Sequence, residues 1–370
     1  MKTVRRLLYR DIAGSVAFTA VAFLSLFFFI DFVDELEAVG RQGYQAWHAA
    51  VISLLAVPGH FYELAPIAVL IGTIYALARL AQTSQFTILR TGGLGPGRAL
   101  GLLASLGAVF CVATWLVGDY VAPASERESV LLQAKFRGGL KFGRAGAWLK
   151  DHRSTPDGER SYSVQVTSAS AAGELEGVRI FEFDADGRLV TRIHAASATI
   201  VDDAQWRLRD ATLTRWRAAD AADQPMVAEQ RVAQLDWPTS IGADVVAAAL
   251  LPIKTMSTVE LWRYTQHLAS NEQAGQRYEI QFWKRALYPL ACLVMVALAL
   301  PFAYLHARGG SISFKVFGGI MLGISFVLLN NVAGHLGMLR DWTPWIVAAV
   351  PSALYLLLSM AAFSWLVRYR

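Results

Sequence analysis

Four groups of residues in this chain have types and spacings that could do chemistry. Asp31, Asp34 and Glu35 close a long apolar run, and helical spacing puts them on one face beside a stripe of Phe29, Phe32, Val33 and Leu36. That end is either a solvated helix tip or the lining of a substrate path. Glu63 sits near the edge of a second apolar run, where a carboxylate is either interfacial or functional. Asn330, Asn331 and His335 lie in a later run. Two adjacent amides in lipid need partners, from a neighbouring helix or at a gate. The polar segment from Thr83 to Gly93 reads as a short helix. Thr83 or Ser84 caps it, Phe86, Leu89 and Arg90 share a face, and Gly92-Gly93 ends it. It is either an inert loop or the form a coupling helix takes.

Several chemistries are not written in the chain. There is no GxxxxGK[ST], HExxH, GxSxG or CxxC pattern, and the 7 histidines are scattered. The glycine-rich Gly93-Leu94-Gly95-Pro96-Gly97 follows no strand, which makes it a poor phosphate cradle. Cys111 and Cys292 fall inside apolar runs, where thiols serve packing. We therefore expect no catalytic residue, no metal site and no cofactor held by the chain itself. No filter-like segment suggests a channel, and the spans carry few midplane charges of the kind a secondary transporter uses.

The elements that must position these groups are membrane spans. The chain has 370 residues, 55% of them hydrophobic, with a mean hydropathy of +0.38. Six runs reach the roughly 20 apolar residues that a bilayer core demands. They are Ile12–Val33, Pro58–Leu80, Ala99–Val121, Arg285–Leu305, Val316–Leu336 and Pro344–Val367. Pro58 and Pro66 are expected to kink the second or delay its start. The first run is expected to stay as a span, because it is too long for a signal peptide and lacks a small-residue cleavage site. Lys2, Arg5, Arg6 and Arg10 precede the first run. Arg79, Arg90 and Arg98 flank the second connection, Arg308 and Lys315 the fourth, and Arg368 and Arg370 close the chain. The short connections on the other side carry only Arg41 and Arg340, so both termini are expected in the cytoplasm. The net charge of +5 then needs no nucleic acid to explain it. Lys284 and Arg285 sit awkwardly with this orientation, unless they reach the outer headgroups or an anionic ligand.

Between the two sets of runs the pattern becomes strand-like. Short β-prone stretches cover Ala147–Lys150, Tyr162–Thr167, Val178–Phe183, Val190–Ser197, Ala198–Val201, Trp206–Arg217 and Met226–Leu235. Turns at Pro156-Asp157-Gly158 and Asp184-Ala185-Asp186-Gly187 separate them. Tyr162, Val164 and Val166 alternate with polar neighbours, as in a sheet with one buried face. The expected fold is an α-helical membrane protein with six transmembrane helices, three plus three. An all-β, jelly-roll-like periplasmic domain is inserted between them. The expected divisions are residues 1–121, 122–275 and 276–370.

The residues also resemble a known family. Tyr9-Arg10-Asp11-Ile12, Phe32-Val33-Asp34-Glu35-Leu36, Gly40-Arg41-Gln42-Gly43-Tyr44 and Pro66-Ile67-Ala68-Val69-Leu70-Ile71-Gly72 look like the LptF/LptG permeases of lipopolysaccharide export, nearer the LptG branch. So do Leu80-Ala81-Gln82-Thr83-Ser84-Gln85, Val121-Ala122-Pro123 and Pro351-Ser352. The resemblance spans the whole chain. It implies a heterodimer with an LptF-type permease on a dimer of the cytoplasmic ATPase LptB. LptC would join in the membrane, and a periplasmic LptA bridge would receive the lipid. It implies lateral gates along Ile12–Val33 and Val316–Leu336, with Phe29, Asp31, Phe32, Asp34, Arg41, Phe317, Asn330 and Asn331 on the substrate path. Ser84, Gln85, Phe86, Leu89 and Arg90 would dock in the ATPase, and the partner ATPase alone would use ATP and magnesium. Two departures stand out. Family members often have Glu where this chain has Gln85, and some have lysines where it has Asp31, Glu37 and Ala38. Carboxylates there would repel lipid phosphates unless the face turns away, or unless divalent cations or Arg41 bridge them. The expected function is that of a permease subunit without ATPase activity. The alternatives are a membrane scaffold for a β domain that moves nothing, or the sister permease.

Overall fold

The computed structural model describes residues 2–40, 43–83, 85–93, 95–137, 140–141, 147–155, 158–169, 174–202, 205–216, 227–242, 245–246, 249, 252–270, 275–304 and 312–368. The helices in chain order are α1 (Lys2–Leu36), α2 (Ala46–Gln82), α3 (Gln85–Thr91), α4 (Pro96–Leu116) and α5 (Ala122–Arg137), then α6 (Thr258–Ser270), α7 (Gln276–Leu287), α8 (Leu290–Tyr304), α9 (Ile312–Leu339) and α10 (Pro344–Arg368). Between α5 and α6 run eight strands: β1 (Leu140–Lys141), β2 (Ala147–Thr155), β3 (Gly158–Val166), β4 (Ser168–Ala169), β5 (Leu175–Phe183), β6 (Leu189–Asp202), β7 (Gln205–Trp216) and β8 (Val227–Pro238). The chain divides into a helical unit (Met1–Glu37, Trp47–Glu126 and Gln276–Arg370) and a second unit (Ala38–Ala46 and Arg127–Gly275).

Among the described residues, five helices are long and apolar enough to cross a membrane, and the α7–α8 pair, bent by 50°, makes up to six. The bend falls at Tyr288-Pro289, where proline cannot supply the next backbone hydrogen bond. The second span does not start late. It is one 37-residue helix that contains both Pro58 and Pro66. Its surroundings override the local preference, because 83% of its most apolar stretch is buried, against 6% for α1. From Ala65 to Ala78 only Tyr75 is exposed. So α2 is the post around which the bundle forms.

Glycines let its neighbours approach. A Cβ at Gly72 would lie 2.5 Å from the Val16 backbone of α1. On α9, Gly319 and Gly323 face Ile74 and Ile67 of α2. Beyond α4 the helix passes through one π turn, Val117–Val121. Gly118 in that turn lies against the ring of Tyr62, and its carbonyl accepts a 2.5 Å hydrogen bond from the Arg285 guanidinium. Lys284 donates to the Asn330 carbonyl of α9 at 2.9 Å. The dibasic pair that looked misplaced therefore turns inward. It ties α7 to the π turn and to α9.

The second unit holds one antiparallel sheet in the order β1-β4-β5-β6-β7-β8, with β2 and β3 joined through β5. The alternation of Tyr162, Val164 and Val166 puts all three in a core with Leu149, Ile180, Trp206 and Leu208. The stretch expected as two strands, Val190–Ser197 and Ala198–Val201, is the single strand β6. Ala195 and Ala198 are both buried, so the in–out alternation slips between them. Gly177 (φ 62°) on β5 and Asp210 (φ 51°) on β7 lie at that level, one on each side. Pairing keeps its register through the slip on both sides, so β6 continues, although in sequence the broken alternation imitates a strand end. The outer strands β2 and β8 are tied by the fully buried Asp151. Its carboxylate accepts from Arg153 Nε (3.1 Å), Thr239 Oγ1 (3.0 Å) and Ser240 Oγ (2.5 Å).

Candidate functional site

Spans α1, α4, α9 and α10 all expose apolar surface along much of their length, and two of them, α1 and α9, carry most of the sequence-derived candidates. The first is α1. Its inner half turns Leu8, Ile12 and Val16 into the core at helical spacing. Tyr9 donates to the Leu102 carbonyl at 3.1 Å, and Asp11 pairs with Arg79 at 3.1 Å. Beyond Val16 no residue of α1 is buried. Phe29 is 62% exposed, and Phe32 stacks on Phe28 with ring centroids 6.2 Å apart.

A polar contact ties the outer half to α2. Asp31 Oδ2 lies 2.7 Å from His60 Nε2 on α2, and the His60 ring packs on Phe27 at 4.9 Å. Asp34 is exposed on the next turn. The carboxylates therefore do not act together: one is engaged by an imidazole and its neighbour faces outward. Among the described residues no group of three or more His, Cys, Asp or Glu could hold a metal ion. Arg41 lies outside the described residues. His60 is the residue that sequence reasoning missed. Scattered histidines carried no pattern, and the only signal was a basic ring in a helix destined to face Asp31.

The second of the two is α9. Its glycine face meets α2, while Phe317 (58% exposed), Met321, Leu328 and Val332 point away from the bundle. Asn330 is half-buried and Asn331 exposed. His335 Nδ1 contacts the Asn331 carbonyl at 2.9 Å, so that nitrogen is the donor.

At the opposite end, α3 joins α2 to α4. Gly92 donates to the Ile88 carbonyl and Gly93 takes φ 97°, a conformation that suits glycine, so the glycine pair ends the helix. Gln85 is exposed and Leu89 packs against the bundle core. Ile88, not singled out from sequence, is 66% exposed and presents the apolar surface of this face. Ser84 lies outside the described residues, and for Phe86 and Arg90 only the helical backbone is described.

Sequence similarity agrees with this arrangement. The chain is 26% identical to the lipopolysaccharide export system permease protein LptG of Escherichia coli strain K12 over 358 residues, 96% of each chain. It is 24% identical to the protein of the same name from Haemophilus influenzae over 361 residues, 97% of each. The family described as lipopolysaccharide export system permease LptF/LptG matches residues 6–367. With apolar helices on either side of a central antiparallel sheet and a family match over nearly its whole length, this chain belongs to the LptF/LptG family of lipopolysaccharide export permeases.

Proposed function

We propose that this chain is the LptG-type permease of an ATP-driven exporter. In this reading it draws lipopolysaccharide from the inner membrane and passes it to a periplasmic β-jelly-roll bridge of the LptA type. It pairs with an LptF-type permease and, together with LptC, sits on an LptB-type ATPase dimer that hydrolyses ATP. Both termini and α3 face the cytoplasm, because Lys and Arg concentrate there, and the β unit is periplasmic.

The observation that carries the reading is the pair of apolar faces on α1 and α9. Both are largely exposed, as are α4 and α10, while α2 is buried; α1 and α9 stand apart because their exposed lengths also carry Asp31, Asp34, Asn330 and Asn331. Exposed apolar surface on that scale needs a partner helix or a lipid against it. A lateral gate that admits an acylated cargo supplies both in turn, and closure of the subunits on nucleotide binding would expel the cargo outward. Gln85, Ile88, Leu89 and the sequence neighbours Phe86 and Arg90 would seat α3 in the ATPase.

The test is depletion of the chain, followed by locating newly made lipopolysaccharide. Accumulation in the inner membrane is expected. Normal arrival at the outer membrane would leave the chain as an anchor for its β unit. Phe86→Asp tests the coupling. Burying such a ring stabilises contact by roughly 1.5–3 kcal/mol, so co-purification of the ATPase should fall by at least about tenfold. Normal assembly and export would remove α3 from that role.

A further inference from the structure

The inner half of α1 borders two adjoining hollows that share Arg10. One is a 590 Å³ cleft between α1, α2 and the start of α9. Phe18, Ala22, Phe23, Ile71 and Val316 give it apolar walls, and Arg10 stands at one end. The other, 560 Å³, is lined by Arg5, Arg6, Tyr9 and Arg10. Both fall within the roughly 300–1,000 Å³ typical of small-molecule sites.

The charges do not cancel locally. Asp11 is engaged by Arg79 at 3.1 Å. Arg5, Arg6 and Arg10 have no ion pair among the described residues. Tyr9 fixes the position of the basic hollow, because its hydroxyl donates to the Leu102 carbonyl of α4 at 3.1 Å. The two hydroxyls that α1 brings to the cleft wall are already engaged within the helix: Ser15 donates to the Asp11 carbonyl and Thr19 to the Ser15 carbonyl, both at 2.8 Å. The trough therefore asks for a hydrocarbon chain and its mouth for an anion.

We propose that these two hollows form a binding site for one anionic phospholipid of the surrounding membrane. Its phosphate sits among Arg5, Arg6 and Arg10, and an acyl chain lies in the cleft beside Gly14 and Phe18. Guanidinium groups suit this task because they present paired donors to phosphate oxygens and stay charged at the membrane surface. The site lies at the anchored end of α1, away from Asp31 and Asn331. Its trough runs along the same two helices that the proposed gate uses, so the test below separates a resident lipid from the exported cargo. A lipid seated there would pack the cleft between α1 and α2, which the protein's own side chains leave open.

Gly14 supplies the decisive variant. It lines the cleft, and a Cβ built there meets nothing within 4 Å. Gly14→Leu should therefore fill the trough without disturbing the bundle. The permease–ATPase complex would be placed in nanodiscs of mixed phosphatidylglycerol and phosphatidylethanolamine free of lipopolysaccharide, then stripped with detergent. Retained lipid would be counted by native mass spectrometry. Wild type should keep phosphatidylglycerol in preference to phosphatidylethanolamine. Gly14→Leu should lose it, and Arg10→Gln should lower the preference by about fivefold, as expected for one basic side chain at an anionic surface. The proposal is overturned by equal retention of both lipids in wild type, or by undiminished retention in Gly14→Leu. Added lipopolysaccharide that displaces the lipid one for one would assign the site to the exported cargo instead. A photoreactive group at Phe18 that captures polypeptide rather than lipid would assign the cleft to a partner helix.

Discussion

The two ends of α1 belong to one unbroken helix but are held very differently. The inner end has three buried side chains, the Tyr9 hydrogen bond, the Asp11–Arg79 pair and the close seat of Val16 over Gly72. The outer end has the Asp31–His60 contact and the packing of Phe27 on its ring. An apolar run establishes that a helix can span a bilayer, but not what fastens it there. In this helix the fastening is one-sided, so the outer half is free to meet a partner helix or a lipid while the inner half stays put.

The seat at Gly72 offers the largest test. A leucine there would drive its Cβ to 2.5 Å from the Val16 backbone, and main chain cannot rotate away as a flexible side chain can. Overpacking of this kind typically costs about 1–3 kcal/mol. Gly72→Leu should lower the thermal unfolding temperature of the detergent-solubilised complex and loosen the inner end of α1. Full stability in this variant would show that the close approach is not what anchors the helix.

A smaller effect calibrates what a short polar contact is worth when others support it. In the second unit, Ser257 caps α6 as half of a capping box. Its Oγ accepts from Glu260 N at 3.2 Å, and its N–H donates to Glu260 Oε2 at 2.7 Å. Arg127 adds a 2.8 Å bond to Oε1. Burial alone would raise the Glu260 carboxyl, but the Ser257 and Arg127 hydrogen bonds outweigh it and hold the group below its ordinary 4.5. A depressed carboxyl contributes stability that is present above the unfolded value and lost as pH falls through the folded one. Stability from this cap should therefore fade below about pH 4.5, and Glu260→Gln should remove that dependence. Ser257→Ala should cost about 1 kcal/mol at neutral pH. Acid unfolding curves of the three proteins provide the measurement.

How much of this was legible in sequence depends on whether the signal was local. Hydropathy places the apolar helices, and the turn at Asp184–Gly187 forms as its residues suggest, with Asp184 Oδ1 accepting from Asp186 N and Arg188 N. What could not be read depends on partners distant in sequence. The continuity of α2 through two prolines comes from burial on nearly all sides. The break in alternation at Ala196 falls beside Gly177 and Asp210 on the neighbouring strands, and the inward turn of Lys284 and Arg285 depends on carbonyls in α9 and the π turn. At the candidate site, the exposed aromatics of α1 and α9 follow from composition and spacing. The engagement of Asp31 by His60 does not, because the two are 29 residues apart on different helices.

That contact should give the smallest effect and separates the two ends most sharply. The Asp31 and His60 side chains are 26% and 23% exposed, and, unlike Glu260, the carboxylate meets no second donor among the described residues. A pair of this kind is worth about 0.2–1 kcal/mol, too little to change global stability visibly but enough to bias a helix end. Asp31→Asn should be nearly silent, because an amide oxygen still accepts from the ring. His60→Ala removes both the hydrogen bond and the ring under Phe27, and should free the outer half of α1. Spin labels at Val33 and at Leu7 read the two ends separately: both residues are exposed, so labels there displace no core packing. The expected outcome of His60→Ala is greater mobility at Val33 with no change at Leu7, and the double variant with Asp31→Asn should add nothing further. If Leu7 loosens as well, α1 moves as one rigid rod and its ends are not independently held. If neither label responds, the apolar surroundings of the outer half, not the Asp31–His60 contact, set its position.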